Sequence, residues 1–358
     1  MSHRILGRTG LQVTPLTLGT LNLGHATAEH HETSRQVIHT ALDAGINVID
    51  TADSYFQGQS EEVIGEVLAE RGARDDVLLA TKFFRPKGGP LRQGGTRRWI
   101  FQAVELSLRR LRTDYIDIYQ SHRPDELTDI DETLGALTDL VSQGKIRYFG
   151  TSTFEAHQLV EAQLVALLRH RERPATEQPP YSILVRGAER AVLPVAEQYG
   201  IGVLSWSPLA AGWLSGSLTR SGEEHAVQSW SQRLRKQPER TNLTLEENQR
   251  KLAAVGRLSA LADEAGLTLI ELAIAFVLHH RAVSSAIVGP RTADHLRAAL
   301  SAPEAGLDDA VLDAIDEIVP PGSALIERDQ GHTPLALQDA GRRRWAGHPN
   351  PAIGRNTA

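Results

Sequence analysis

Residues 115–152 read YIDIYQSHRPDELTDIDETLGALTDLVSQGKIRYFGTS. The two ends, YIDIYQ (115–120) and IRYFGTS (146–152), are short, largely apolar, β-prone runs. Between them, residues 130–142 carry apolar side chains at helical spacing. A strand, a helix and a second strand in this order form a crossover unit, which joins parallel neighbours in a sheet buried on both faces.

The same unit repeats in both directions. Towards the N-terminus come a helix over 99–111 with Thr96 as its cap, a strand VLLATK (77–82), and a helix over 60–70 with Val63, Ile64, Val67 and Leu68 on one face. Before these lie a strand INVID (46–50), a helix over 32–44 with Val37, Ile38, Ala41 and Leu42 inward, and a strand LTLG (16–19). Residues 4–13, RILGRTGLQV, read as a hairpin turning at Gly-Arg-Thr-Gly. Towards the C-terminus follow a helix over 155–169, a strand TEQ (176–178), a helix over 188–199 and a strand IGVLSWS (201–207). Two helices (246–265 and 268–280), a strand SSAIVG (284–289) and a last helix over 292–300 complete the series.

Eight strand–helix units close into a barrel more naturally than into an open sheet, so the expected fold is α/β, a (β/α)8 TIM barrel with an N-terminal β-hairpin. Residues 1–319 form that one domain, and 320–358, rich in Pro, Gly and Arg, form an irregular tail over or near the barrel mouth. Two excursions, 83–96 and 208–245, interrupt the pattern.

Composition narrows the function. The chain has 358 residues, a net charge of -6 and no long run of one sign, which argues against nucleic acid as a partner. RRLR (109–112) and RRR (342–344) read as solvated faces. Without cysteine, disulfides and thiolate chemistry are excluded, and a reducing cytoplasmic setting is expected. The N-terminus lacks a signal-peptide core, and the most apolar run, 267–278, is too short for a membrane span. The histidine pairs His30–His31 and His279–His280 lack metal-site spacing. Trp99, Trp213, Trp230 and Trp345 read as core or loop anchors, with Trp213 near enough to the mouth to reach a substrate.

Barrel enzymes place their chemistry at the C-terminal ends of the strands. Those ends carry Asp50, Lys82, His122, Ser152, Gln178, Trp206 and Arg291. Each alone has a bland reading: a cap, a snorkelling amine, a hydrogen-bonded structural imidazole. Together, Asp50, Tyr55 and Lys82 make a mechanism. A phenol ordinarily titrates at about 10, a nearby ammonium favours its phenolate, and a carboxylate holds that ammonium charged and in place. His122 then orients a carbonyl oxygen.

At these residues the chain resembles the aldo-keto reductase superfamily. The resemblance rests on DAGINVIDTADSY (43–55) followed by GQSEEVIGEVL (58–68), on VLLATKF (77–83) and on TDYIDIYQSHRPD (113–125). It implies a catalytic tetrad of Asp50, Tyr55, Lys82 and His122, an NADPH cofactor, a small-molecule carbonyl substrate and no metal. Gly19, Thr20 and Leu21, together with Asp50, would border the nicotinamide ribose. In GTSTF (150–154), Ser152 and Thr153 would meet the carboxamide with Gln178, although relatives often carry Asn where Thr153 stands. In SWSPLAAGWLSG (205–216), Trp206 would stack on the nicotinamide, and Ser207, Pro208, Leu209, Ala211, Gly212 and Gly216 would wrap the pyrophosphate. In IVGPRTADHL (287–296), Gly289, Arg291 and His295 would hold the adenosine end, with Arg291 on the 2′-phosphate and Arg233 as a further cation. His295 and Ala299 replace a frequent Gln and Asn, and Ser217 a frequent basic residue.

Two narrower likenesses bear on substrate and role. The segments GPLRQGGTRRWI (89–100) and TEQPPYSILVRG (176–187) are similar to those of reductases of bacterial deoxysugar pathways. The cations Lys87, Arg92, Arg97 and Arg98 would then contact the phosphates of a nucleotide-linked keto-sugar, unless they belong to an ordinary solvated loop. Relatives that modulate potassium channels share the motifs, so a cofactor-binding regulatory subunit is the alternative to an enzyme. A barrel isomerase or hydrolase, argued from fold analogy, leaves Trp206 and Ser152 unexplained.

Overall fold

A computed structural model describes residues 2–85, 88–220 and 237–342. Its centre is a closed barrel of eight parallel strands: β3 (Leu16–Gly19), β4 (Val48–Asp50), β5 (Leu78–Phe83), β6 (Ile116–Ser121), β7 (Ile146–Ser152), β8 (Thr176–Gln178), β9 (Gly202–Trp206) and β10 (Val283–Val288). Each pairs with the next in the chain, and β10 returns to pair with both β9 and β3. The helices around it are α1 (Ala28–Asp43), α2 (Gln59–Arg71), α3 (Arg97–Leu111), α4 (Ile130–Ser142), α5 (Ala156–Leu168), α6 (Val192–Tyr199), α7 (Glu246–Glu264), α8 (Leu269–His279), α9 (Ala293–Arg297) and α10 (Asp309–Ile318).

Side chains alternate between the barrel's interior and the helix layer, as strand geometry requires. Val48, Ala80, Ile118, Leu204 and Ile287 form one interior cluster. Two residues further along the same strands stand Asp50, Lys82, Gln120 and Trp206, so the parity that fills the floor with apolar groups delivers polar groups to the mouth.

The floor is sealed by the hairpin of β1 (Arg4–Ile5) and β2 (Gln12–Val13). Leu6 and Val13 join the interior cluster. Gly7 sits at φ 54, and a Cβ there would lie 2.3 Å from the Gly202 nitrogen, so this approach requires glycine.

Outside the barrel, buried ion pairs register the helices. Glu61, in the middle of the GQSEEVIGEVL motif, accepts from Thr81 Oγ1 at 2.6 Å and from Arg110 Nε at 2.7 Å, tying α2 and α3 to β5. Asp117 accepts from Arg74 at 2.8 Å and from the Leu79 amide at 2.9 Å. Thr96 caps α3, as its sequence pattern suggests, and Thr268 with Glu271 forms a capping box on α8.

The structure differs from the sequence reading in three places. β4 starts at Val48 rather than at Ile46 because the Asn47 side chain bonds the hairpin, accepting from the Thr14 amide at 2.9 Å and donating to the Gln12 carbonyl at 2.9 Å. The segment 187–199 opens with a 3-10 turn (Gly187–Arg190) before α6 begins. The pattern also ran on past residue 300: α10, capped by Asp308, lies on the outer ring with Ile315 as its buried residue.

The described tail packs against the loops that follow β8 and β6. Ala324 bridges Val185, and the Arg186 amide donates to the Ser323 carbonyl at 2.7 Å. Asp329 then pairs with Lys251 and Arg240, and Arg328 with Glu247. Gly331 follows at φ 87, so close to Trp206 that a Cβ there would lie 2.6 Å from the indole. Further on, the Leu335 amide donates to Glu126 at 3.0 Å.

Candidate active site

The mouth gathers its polar groups around one buried ion pair. Lys82 Nζ lies 2.8 and 2.7 Å from the two Asp50 oxygens and donates to the Thr51 carbonyl at 2.7 Å. Lys82 and Asp50 are 1% and 3% exposed. Burial alone would lower the lysine's pKa; the Asp50 carboxylate and the Tyr55 phenol outweigh it, and the net direction is upward. Lys82 is therefore a fixed cation. Gln178 completes the cluster by donating to Asp50 at 2.6 Å, a contact that the strand-end pattern did not announce.

Tyr55 enters from the turn after β4. Its amide closes on the Ala52 carbonyl at 3.1 Å, and the next two residues, Phe56 and Gln57, adopt positive φ of 45° and 60°. This tight turn brings the half-buried phenol over the barrel. Lys82 Nζ stands 5.2 Å from the Tyr55 ring centre, near enough for the phenol to help hold the ammonium's pKa up. His122, just past β6, places its ring 5.9 Å from that of Tyr55 at 77°. The four residues of the expected tetrad thus converge on one point.

Ser152 and Thr153, at the end of β7, and Trp206, at the end of β9, stand on the opposite arc of the rim with β8 between them. Ser152 Oγ donates to the Gln178 carbonyl at 3.0 Å. Thr153 is held at φ 62, and its hydroxyl accepts from Arg123 at 3.0 Å. Beneath them Glu177 is fully buried and accepts from Thr151 Oγ1 and from the Phe154 amide. Burial pushes its carboxyl up to about 7, against the opposing pull of these hydrogen bonds. Neither Arg123 nor Glu177 was singled out in the sequence; an acid inside a buried three-residue strand was the available signal for Glu177.

The turn after β9 is left-handed at Ser207, Ala210, Ala211, Gly212 and Gly216, with φ between 47° and 103°. Consecutive residues of this kind form an amide-lined concavity suited to anions. Many of its amides are internally bonded, among them Ala210 to Ser207 at 2.8 Å and Gly212 to Leu209 at 2.9 Å. Trp213 is 1% exposed, with Lys251 Nζ 4.7 Å from its ring centre, so it anchors this turn.

Other expected residues fall differently. Thr20 is buried with its hydroxyl donating to the Asp50 carbonyl at 3.0 Å, so it holds β3 to β4 instead of offering a side-chain contact, while Leu21 stands half-buried beside it. Asn22 donates to the Gly289 carbonyl at 3.0 Å and joins two segments expected to serve one ligand. Arg291 lies beside His295, whose pKa is lowered by partial burial and then by the arginine's charge. Arg97 pairs with Asp139 on α4 at 2.6 Å and stacks on Phe101, so its guanidinium is engaged on the helix layer. Lys87 and Arg233, like Trp230, Trp345, Arg343 and Arg344, lie outside the described residues.

A tetrad of this type at a barrel mouth invites comparison with known proteins. The model of the aldo/keto reductase family matches residues 15–320. The chain belongs to the aldo/keto reductase family. An uncharacterized oxidoreductase of Bacillus subtilis, YrpG, is 38% identical over 89% of this aldo/keto reductase and 96% of its own length. The aldo-keto reductase YhdN of the same organism is 36% identical, covering 83% of this chain and 87% of its own. A probable voltage-gated potassium channel subunit beta of Arabidopsis thaliana is 33% identical over 89% and 97%. The chain is accordingly an oxidoreductase of a family that acts on small-molecule carbonyls with nicotinamide cofactors. Among the described residues, no helix is long and apolar enough to cross a membrane.

Proposed function

We propose that this aldo/keto reductase reduces an aldehyde, ketone or enone with NADPH, Tyr55 acting as the general acid. The observation that carries the reading is the convergence of Tyr55 and His122 on a buried, bidentate Asp50–Lys82 pair, with Trp206 across the same mouth.

The residues present fit a nicotinamide dinucleotide. The indole N–H of Trp206 is buried with no hydrogen-bond partner among the described residues. The left-handed run from Ser207 to Gly216 suits a pyrophosphate. Beyond it, a cavity of about 230 Å³ opens between Ser215, Gly216, the start of α8, Ala298 and Ser301. Trp206, Thr153 and Gln178 would hold the nicotinamide, and Arg291 a 2′-phosphate. When bound, the reduced nicotinamide supplies the hydride.

The chain's own residues do the rest. His122 and Tyr55 bracket the carbonyl oxygen and orient it. As negative charge develops there, the Lys82 cation stabilises it, and the Tyr55 hydroxyl delivers its proton. Asp50 keeps Lys82 charged and stationary, while Gln178 fixes Asp50.

A second reading, a cofactor-binding subunit with little turnover, is favoured by the potassium-channel relative. The complete tetrad argues for turnover. The nucleotide-linked keto-sugar reading draws nothing from Arg97; it rests on Arg92 and Arg98, both exposed.

The test is loss of nicotinamide absorbance with NADPH against a carbonyl panel that includes small aldehydes and a nucleotide-linked keto-sugar. Tyr55→Phe should retain NADPH binding and lose about 10²–10⁴-fold in kcat. Trp206→Ala should abolish most of the tryptophan quenching caused by NADPH. Near wild-type turnover in Tyr55→Phe would assign the proton to another group, and cofactor binding without turnover on any carbonyl would favour the subunit reading.

A further inference from the structure

Resting on the nicotinamide reading above, we infer that Arg123 is a positioning residue: it turns the Thr153 hydroxyl outward as the donor to the cofactor's carboxamide oxygen, and Ser152 does not serve that contact. The argument follows the hydroxyl protons at the end of β7. A serine or threonine hydroxyl has one proton to donate and two lone pairs to accept with.

Ser152 directs its proton inward, to the Gln178 carbonyl at 3.0 Å. The amide of Thr153 closes on the same carbonyl at 3.1 Å, so Ser152 and Thr153 form a clasp around one main-chain oxygen. Thr151 is likewise turned away from the mouth, towards Glu177 and the Thr176 carbonyl. On Gln178, one amide hydrogen is directed to Asp50 at 2.6 Å.

Thr153 is arranged the other way. Its oxygen accepts from Arg123 Nη1 at 3.0 Å, and the same nitrogen donates to the His122 carbonyl at 2.6 Å. A guanidinium can only donate, so its contact with Thr153 fixes a lone pair and leaves the threonine proton for a different acceptor. The other contact of this hydroxyl, to Ser152 Oγ, is long at 3.4 Å. Thr153 holds φ at 62°, and the turn of the tail at Gly331 passes close to its methyl group. Arg123 thereby links the backbone of the His122 loop to the arc that would hold the nicotinamide, on the side opposite Tyr55.

The experiment exchanges one atom of the cofactor. Tryptophan quenching gives Kd for NADPH and for its thionicotinamide analogue, in which the carboxamide oxygen is a weakly accepting sulfur. The proteins are wild type, Arg123→Met, Thr153→Val, Thr153→Ser, Ser152→Ala and the double variant Arg123→Met/Thr153→Val. Arg123→Met and Thr153→Val should each weaken NADPH about five- to tenfold, and the double variant no further than either alone. Against the thio analogue the same variants should stay within about twofold of wild type. Thr153→Ser, which keeps the hydroxyl, should bind both cofactors like wild type, and Ser152→Ala should leave the ratio of the two affinities unchanged.

The inference is overturned if Arg123→Met leaves NADPH affinity intact, if Arg123→Met or Thr153→Val weakens both cofactors equally, or if Ser152→Ala carries the discrimination. Should Arg123→Met not fold, the Thr153→Val and Thr153→Ser pair decides between the same outcomes. Failure of wild type to bind either NADPH or NADH would instead overturn the nicotinamide reading and the inference with it.

Discussion

Replacing Glu177 with Gln should change how the fold responds to alkali. Glu177 is wholly buried beneath Ser152 and Thr153, and burial raises its carboxyl from 4.5 to about 7. The folded state therefore binds this proton more tightly than the unfolded chain. The stability it brings is complete below about pH 4.5, declines as pH rises through about 7, and is gone above that. The whole change is on the order of 3 kcal/mol. A glutamine at this position would be neutral throughout and can still accept one of the hydrogen bonds from Thr151 and Phe154. Urea unfolding of wild type and Glu177→Gln should be compared at pH 5 and pH 8.5. Other carboxylates titrate in both proteins and cancel in the difference. The variant should gain on wild type by about 2–3 kcal/mol between the two pH values. A difference that stays constant, or moves in wild type's favour as pH rises, would refute the assignment of this proton to a buried Glu177.

Other perturbations test other parts of the mouth. Lys82→Met should leave a buried carboxylate and destabilise the fold by about 3–5 kcal/mol as well as removing turnover; adding Asp50→Leu should recover most of the urea midpoint but none of the activity. Gly331→Ala combines an unfavourable φ of 87° with a Cβ 2.6 Å from Trp206, so it should release the tail and raise the rate of proteolytic nicking within 326–335 while the barrel's melting temperature shifts little. Arg97→Gln removes an exposed pair with Asp139, and should change stability by under about 1 kcal/mol with no effect on KM for any carbonyl; a raised KM for a nucleotide-linked sugar would return the 87–98 segment to the substrate site.

The barrel was legible because burial on both faces makes each strand a short apolar run, and the polar residue that ends the run lands at the mouth. Asp50, Lys82 and His122 could be read for that reason, with Tyr55 following from the motif around it. What was not legible depended on which partner a polar atom selects. Thr20 and Ser152 look like ligand contacts in sequence, yet their hydroxyls face the Asp50 and Gln178 carbonyls. Arg97 looks like a free cation, but Asp139, far along the chain, faces it from the next helix. Arg123 lies in a motif chosen for its neighbour His122, and its contact with Thr153 exists only because β6 and β7 are adjacent. The helix α10 was available in DDAVLDAIDEI, whose apolar positions recur at helical spacing after the Asp308 cap.

The pairing of β3 with β10 joins Leu16 to Ala286, and the Ala286 amide reaches Pro15 at 2.8 Å. Thr17 and Ser285 share a hydrogen bond across the same seam at 2.7 Å, while Arg4 grips the Leu278 and Val283 carbonyls. The first barrel strand to leave the ribosome must therefore wait for the last. Until residue 288 is available the growing sheet has two open edges, each a template for pairing with another chain. Closure is a late and long-range step, which makes folding slow and places the aggregation hazard before it rather than after. A chain cut short ahead of β10 would retain most of the mouth's residues in sequence and still lack the strand that turns an open, adhesive sheet into a vessel.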